Sequence, residues 1–305
     1  MVDGPVDATP RREKHGPPRD HTPIGTVARP DFVRLPHPAT IFAARARRFA
    51  ELAAADQPLA PYLRFLSHLA DVQHRTQAMM PTVTRQAPGA LRLHDLLSAG
   101  GLADRIAWFA QRAAMADAPA AAEQARAGLA AMPAMERLAL AGAVLDGTYL
   151  PDRLGESLYV AAALQVHLTR LASRLAAGSL APGGDGDCPA CGSRPVASMI
   201  VGWAGANRTR YCCCSLCGTL WHVVRARCTS CASTAGISYV TFEEQSIDIA
   251  AETCSVCNRY IKHLRQDRAP EIDPVADDIA SLGLDLRLQA MGIRRAAPNP
   301  LMVVH

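Results

Sequence analysis

Eight cysteines of this 305-residue chain stand as four Cys-x-x-Cys pairs: Cys188/Cys191, Cys214/Cys217, Cys228/Cys231 and Cys254/Cys257. Such a pair sets two thiolates on one tight turn at adjacent corners of a tetrahedron, and a second pair completes it with four sulfurs. Between Cys191 and Cys214 lie 22 residues, between Cys231 and Cys254 again 22, and each ligand of the first half recurs 40 positions later in the second. The spacing predicts two metal sites closed in sequence order, Cys188/Cys191/Cys214/Cys217 and Cys228/Cys231/Cys254/Cys257, and so two metal ions per chain. Four thiolates leave no position for water or substrate, so the metals are structural or, if iron, redox-active. Iron and zinc share this ligand set, and the sequence leaves both open. Binding of this kind is folding energy, about 10–16 kcal/mol per structural zinc in small peptides. The competing reading, a disulfide framework, belongs to secreted chains, and no apolar secretory core is expected near the start of this one.

Cys212 and Cys213 fall outside the 40-residue repeat, where their counterparts are Glu252 and Thr253. They are read as a strand leading into the second pair, with an extra ligand or a reactive thiol as the alternative. His222 and His263 are potential ligands by type, but each site already has four sulfurs.

The turns that carry the pairs are legible. Gly192 and Gly218 follow the second cysteine of their pairs, where a backbone doubling back towards the sulfurs needs positive φ. Ala232 and Asn258 occupy those places in the second module; Asn tolerates the left-handed region and Ala does so poorly, so the turn at Cys231 is either of another type or strained. Between the pairs run β-prone stretches, 198–203, 220–224 and 237–242, with Gly, Asn and Thr as punctuation. Each half reads as a small rubredoxin-like or zinc-ribbon module, 188–225 and 226–265.

Over the whole chain hydrophobic residues make up 49% but aromatics only 5%, so the apolar surface is largely Ala and Leu, as helices require. The net charge of +4 is too mild to argue for nucleic acid by itself, and no uncharged run is long enough to span a bilayer. Residues 1–37 are rich in Pro, Gly and charge without apolar period and read as a flexible arm. Helical stripes then follow: Phe42, Ala46, Phe49 and Ala53; Tyr62, Phe65, Leu66 and Leu69; Leu102, Ile106, Phe109 and Ala113; Met135, Leu138, Ala141 and Leu145; Leu158, Ala162, Gln165, Leu168 and Leu175. The expected architecture is α+β: a helical domain over 38–177 of about six helices, a linker at 178–187, the two four-cysteine modules, and a short C-terminal helical segment within 266–305. Residues 258–264 should leave the last knuckle as an edge strand or short helix. Asp277-Asp278 reads as a helix start with carboxylates at the positive end of the dipole, or else as a partner surface.

Taken as an ordered set, several stretches resemble the FdhE family, the formate dehydrogenase accessory (formation) proteins. They are Cys188 to Ser193, Arg210 to Cys217 followed by Trp221, Arg227 to Cys231, Glu252 to Lys262, and Asp277 to Leu282 with Leu284-Asp285. Weaker likeness extends through Phe42 to Leu52, Tyr62 to Gln73 and Ala161 to His167. Departures are Cys212, Cys213 and the Ala-rich segment from Ala113 to Ala134. The resemblance implies a cytoplasmic, non-catalytic maturation factor that binds the catalytic subunit of a molybdenum- or tungsten-containing formate dehydrogenase, and iron in rubredoxin-like modules.

From the residues themselves, no Ser/His/Asp set, Gly-rich phosphate loop or paired carboxylate motif stands out. Two other classes stay open. A rubredoxin-like electron carrier would need iron, since zinc has no redox couple. A nucleic-acid-binding ribbon draws on Arg194, Arg208, Arg210, Arg225, Arg227, Arg259, Lys262 and Arg265, which outnumber Glu243, Glu244, Asp248 and Glu252 across 188–265; neither nucleic acid nor membrane insertion is expected. If the metal domain makes the partner contact, Trp203, Trp221, Tyr239 and Tyr260 are its candidate anchors.

Overall fold

Apolar side chains recurring every three or four residues along 38–172 fold this stretch as helices, and the β-prone stretches between cysteine pairs fold as strands. The structure, a computed structural model, describes residues 11–13, 30–55, 57–81, 90, 91, 93–98, 100–182, 186–242 and 246–302. In chain order its elements are β1 (Arg11–Glu13), β2 (Val33–Arg34), α1 (Pro38–Ala53), α2 (Ala60–Gln77), α3 (Leu93–Ser98), α4 (Leu102–Arg112), α5 (Ala120–Ala131), α6 (Ala134–Asp146) and α7 (Leu154–Ala172). There follow β3 (Ala197–Val201), β4 (Thr209–Cys213), β5 (Leu220–His222), β6 (Ile237–Thr241), β7 (Ile249–Cys254), β8 (Arg259–Leu264), α8 (Ala276–Ala280), α9 (Leu282–Ala290) and β9 (Arg294–Arg295). This is the α+β order read from the sequence. No helix among the described residues is long and apolar enough to cross a membrane.

The helices gather around α7, which is buried from Ser157 through Thr169 and so is apolar on nearly every side. Phe42 and Phe49 of α1, Leu63, Leu66 and Leu69 of α2, and Ile106 and Phe109 of α4 join the same core. The Ala-rich stretch from Ala113 to Ala134 supplies α5. One stripe differs from expectation: Met135 is exposed, and α6 turns Arg137, Leu140, Ala141 and Val144 inward. The reason is Arg137, whose buried guanidinium donates to the carbonyls of Ala103 and Met132. A charged residue that finds backbone acceptors can lie on the inner face, which a hydrophobic stripe does not reveal.

Of the expected arm, the structure describes β1 and residues 30–37; the remainder lies outside the described residues. Val33 is buried, β2 pairs antiparallel with β5, and the Tyr211 hydroxyl donates to the Asp31 carbonyl at 2.6 Å.

Each cysteine module is a three-stranded antiparallel meander, β3-β4-β5 and β6-β7-β8. The modules are not beads on a string. β8 runs parallel to β3, with Ala197 opposite Lys262 and Met199 opposite Leu264, giving one continuous sheet in the order β1-β6-β7-β8-β3-β4-β5-β2 with β9 against β8. The strand after the last knuckle is therefore central, not an edge. Arg210 on β4 reinforces the junction from the buried side: it donates to Glu252 on β7 at 2.8 Å and to the carbonyls of Val224, Arg225 and Arg227 at 3.1–3.3 Å, so the inter-module loop wraps its guanidinium.

Asp277 and Asp278 do stand in the first turn of α8, as a helix start, but they form no surface. Both are buried. Asp277 accepts Arg48 of α1 twice, at 2.6 and 2.9 Å, while Arg45 reaches Asp273 at 3.2 Å. Asp278 faces the other way, accepting Arg295 at 2.5 and 2.6 Å and Asn299 at 2.9 Å, with Lys262 Nζ at 3.4 Å. Asp285 completes a balanced cluster of two cations and two carboxylates, with Lys262 at 2.5 Å, Arg295 at 2.7 Å and the Tyr260 hydroxyl at 2.6 Å. Adjacent residues thus clamp the C-terminal segment to the helical body on one side and to the sheet on the other.

Removing one partner of a buried, hydrogen-bonded charge cluster costs about 3–5 kcal/mol, because the remaining charges stay buried without compensation. Asp278→Ala should lose that much stability in urea unfolding, whereas Asp277→Ala should lose less, since its partner Arg48 is partly exposed and can turn to water. Equal losses would contradict this assignment of weight.

Candidate metal centres

Three of the four Cys-x-x-Cys turns share one hydrogen-bond pattern. The amide of the residue after the second cysteine donates to the first cysteine's carbonyl: Gly192 to Cys188 at 2.8 Å, Gly218 to Cys214 at 3.1 Å, Ala232 to Cys228 at 3.1 Å. A return bond from the first cysteine's amide to the residue five positions on closes each of these three turns, Cys188 to Ser193, Cys214 to Thr219 and Cys228 to Ser233. This geometry demands positive φ, found at Gly192 (82°), Gly218 (75°), Ala232 (59°) and Asn258 (53°). The alternative left open for Cys231 is thereby decided: its turn is of the same type, and Ala232 bears the strain, about 1–2 kcal/mol for a residue with a Cβ. Gly218 has a second reason to be glycine. A Cβ there would come within 2.6 Å of Ile41 and 3.2 Å of Pro36, so α1 lies directly over that turn.

The turns bring the eight sulfurs into two groups, Cys188/Cys191/Cys214/Cys217 and Cys228/Cys231/Cys254/Cys257, each with all sulfurs within 4.8 Å of one another. The sulfurs of Cys188 and Cys217 lie 3.6 Å apart and those of Cys191 and Cys214 3.5 Å; in the second group Cys228 and Cys257 are separated by 3.8 Å, Cys231 and Cys254 by 3.7 Å. A tetrahedron with metal–sulfur bonds of about 2.3 Å has an edge of about 3.8 Å, so both groups fit one four-coordinate zinc or iron ion apiece. A metal in either would supply cohesion and no open coordination position. Amides point at the sulfurs, as thiolates require: Cys217 N–H on Cys214 at 3.2 Å and Ser230 N–H on Cys228 at 3.3 Å. Burial works against ionisation at Cys214, but the neighbouring thiols and the Cys217 amide draw it well below the usual thiol range.

The remaining candidates lie elsewhere. Cys212 and Cys213 are buried strand residues of β4 outside both groups, and burial pushes the Cys212 thiol up to about 12, away from the thiolate form that a reactive cysteine uses. His222 packs its ring against Tyr211, and His263 is buried with Nδ1 3.0 Å from Ser198 Oγ; neither belongs to a sulfur group.

Gln165 is the residue that sequence reasoning placed on a helix stripe without further role. Its amide donates to the Ser215 carbonyl inside the first site's second turn at 2.8 Å and accepts Gln73 at 2.8 Å. A chain of buried amides therefore runs from α2 through α7 to the metal turn. A polar residue in the middle of an otherwise apolar helical run was the available signal. Cys188 and Cys191 also line the floor of a cleft of about 940 Å³ reaching to Tyr149 and Pro298, yet expose only 2% and 1% of their surface.

Three family descriptions match the chain in succession: "FdhE, N-terminal" over residues 30–185, "FdhE, central domain" over 187–225 and "FdhE, C-terminal domain" over 226–302. The chain is 37% identical to a "Protein FdhE homolog" of Rhizobium meliloti, across 93% of this chain and 97% of the relative, and 34% identical to one of Edwardsiella ictaluri, across 88% and 90%. The crystal structure of the FdhE protein from Pseudomonas aeruginosa superposes with a TM-score of 0.80 at 30% identity, covering 89% of this chain and 98% of that one.

Two measurements check the centres. Elemental analysis should find two metals per chain, and one after Cys188→Ser/Cys191→Ser or after Cys228→Ser/Cys231→Ser; the first pair of changes should lower the thermal midpoint far more, because its site is packed against α1 and α7. One metal in the native protein would overturn the two-site reading. His263 gives a pH test. Burial, with Arg210, Arg265 and Arg225 nearby, pushes it down from 6.5 to about 3. The unfolded chain takes up this proton near 6.5 and the folded chain only near 3, so stability present above 6.5 is lost as pH falls towards 3. Between pH 7 and pH 5 the native protein should lose about 2 kcal/mol more than His263→Gln, both fully metal-loaded.

Proposed function

The chain belongs to the FdhE family of formate dehydrogenase accessory proteins, and from that premise we propose that it is a cytoplasmic factor that binds the catalytic subunit of a formate dehydrogenase and is needed for its assembly or activation. The observation that carries this reading is the closure of both four-sulfur groups beside a body that offers recognition surface. Each metal would be fully coordinated by Cys188, Cys191, Cys214 and Cys217 or by Cys228, Cys231, Cys254 and Cys257 and would hold the sheet rigid, not turn over formate.

The metal domain supplies the partner contact in this reading, though not through all the expected anchors. Trp221 and Tyr260 are 2% and 1% exposed and belong to the core. Trp203 is half-buried beneath Arg34, and the half-buried Tyr239 gives its hydroxyl to Glu252. The exposed large apolar side chains on this half are instead Val224, Ile247, Val256, Leu286 and Met291. Half of the basic set weighed for nucleic acid is engaged within the chain, Arg210 with Glu252, Lys262 with Asp285, Arg265 with Asp267 and Arg259 with the Ala296 carbonyl, while Arg194, Arg208, Arg225 and Arg227 are exposed. Glu243 and Glu244 of that comparison lie outside the described residues.

The test uses the whole chain, since the clamps at Asp277, Asp278 and Gln165 tie the halves together. Intact protein should capture the catalytic subunit and continue to do so at high salt, because apolar contacts are little screened. Val224→Asp/Ile247→Asp/Val256→Asp should weaken capture by about tenfold or more, as loss of interface anchors does, while Met79→Asp/Met135→Asp on the helical surface should not. The reverse pattern would move recognition to the helices. Failure of the intact protein to bind, together with formate dehydrogenase activity that persists after its deletion, would remove the function.

A further inference from the structure

The two sulfur groups are alike in geometry and unlike in surroundings. In the first, Cys188, Cys191, Cys214 and Cys217 are each at most 2% exposed. Ser193 Oγ sits between two of the sulfurs, 3.2 Å from Cys191 and 2.9 Å from Cys214, and Thr219 Oγ1 lies 3.2 Å from Cys217. Ile41 and Pro36 cover the turn at Gly218. In the second group Cys231 and Cys257 are only half-buried, and Ser255 and Val256 between the last two ligands are exposed. Ser233, the counterpart of Ser193, spends its hydroxyl on Ala235 instead of on sulfur, and the turn after Cys231 runs through the strained Ala232. The last turn also has a passenger. Asn258 Nδ2 donates to the Gly292 carbonyl at 2.8 Å, the Arg294 amide donates to the Asn258 carbonyl at 3.1 Å, and β9 pairs with β8 just beyond.

We propose that the second centre, Cys228/Cys231/Cys254/Cys257, is an exchangeable metal site whose ion leaves through Cys231 and Cys257, and that its loss frees Gly292 and Arg294 from the turn at Asn258, while Arg295 stays held by Asp278 and Asp285. The first centre is the permanent staple. A competing ligand can replace thiolates one at a time only where it can reach them, and Cys231 and Cys257 are the reachable sulfurs. Displacement needs no change of oxidation state: the incoming donor takes the metal, and the released thiolates take protons from water. The proposal rests on the metal reading of the eight cysteines and not on the identity of the partner.

The experiment starts from protein loaded with zinc and shown by elemental analysis to hold two ions per chain, which tests the metal reading before the proposal. Excess EDTA is then added and release followed. Two phases are expected, one ion leaving about tenfold or more faster than the other, equivalent to about 1.4 kcal/mol of barrier. N-ethylmaleimide present during the fast phase should label Cys228, Cys231, Cys254 and Cys257 and spare Cys188, Cys191, Cys214 and Cys217 in peptide mass spectra. Hydrogen exchange at the Arg294 amide, which is bonded to the Asn258 carbonyl, should rise with the fast phase, and Ala232→Gly should slow that phase. A single phase in which both ions leave together, or labelling of the first group before the second, would overturn the proposal.

Discussion

The six strands of the two modules are only three to six residues long, and an isolated hairpin of such length is marginal in water. Eight sulfurs converge into two groups, and a metal in each would tie the start of a meander to the turn between its second and third strands. Everything else in the C-terminal half is arranged around that constraint. The turns take positive φ to aim the sulfurs inward, even at Ala232 where the backbone resists. The parallel pairing of β8 with β3 then merges two closed loops into one sheet, so that the cohesion gained at each group is shared.

The second theme is the use of charge as a fastener. Arg210 with Glu252, Arg48 with Asp277, and the Lys262, Arg295, Asp278, Asp285 cluster are all buried to a large degree and all join segments distant in sequence. Replacing such clusters by hydrophobic side chains often costs no stability, so their presence is better read as directional. An apolar contact would hold the C-terminal segment to the body in several registers. A carboxylate answering two guanidinium nitrogens holds it in one.

Reading the sequence located the sulfur groups because two independent signals agreed, the Cys-x-x-Cys bite and the 40-residue period. The helices were legible for a similar reason, a local stripe repeated over several turns. Where the reading erred, the deciding partner was far away in the chain. The sequence around 258–264 reads as an edge strand or short helix because nothing near it announces β3, some 60 positions earlier. Asp277 and Asp278 looked solvated because Arg48 and Arg295 are 229 and 17 residues off. Trp221 and Tyr260 looked like anchors because a ring's destination, core or surface, depends on which strand lies beside it. Arg137 was hidden by its own charge.

The repeat has one geometric consequence that its chemistry does not suggest. Because the first strand of one module pairs with the last strand of the other, the same join could in principle be repeated at both ends of the sheet: β5 offers the edge a further copy would take, and β6 the other. Such a sheet is an open-ended lattice, and a partly unfolded neighbour could extend it into a filament. The chain closes both ends with its own N-terminal residues, Val33–Arg34 along β5 and Arg11–Glu13 along β6. The stretch that looked least structured in sequence thus covers both edges of the sheet.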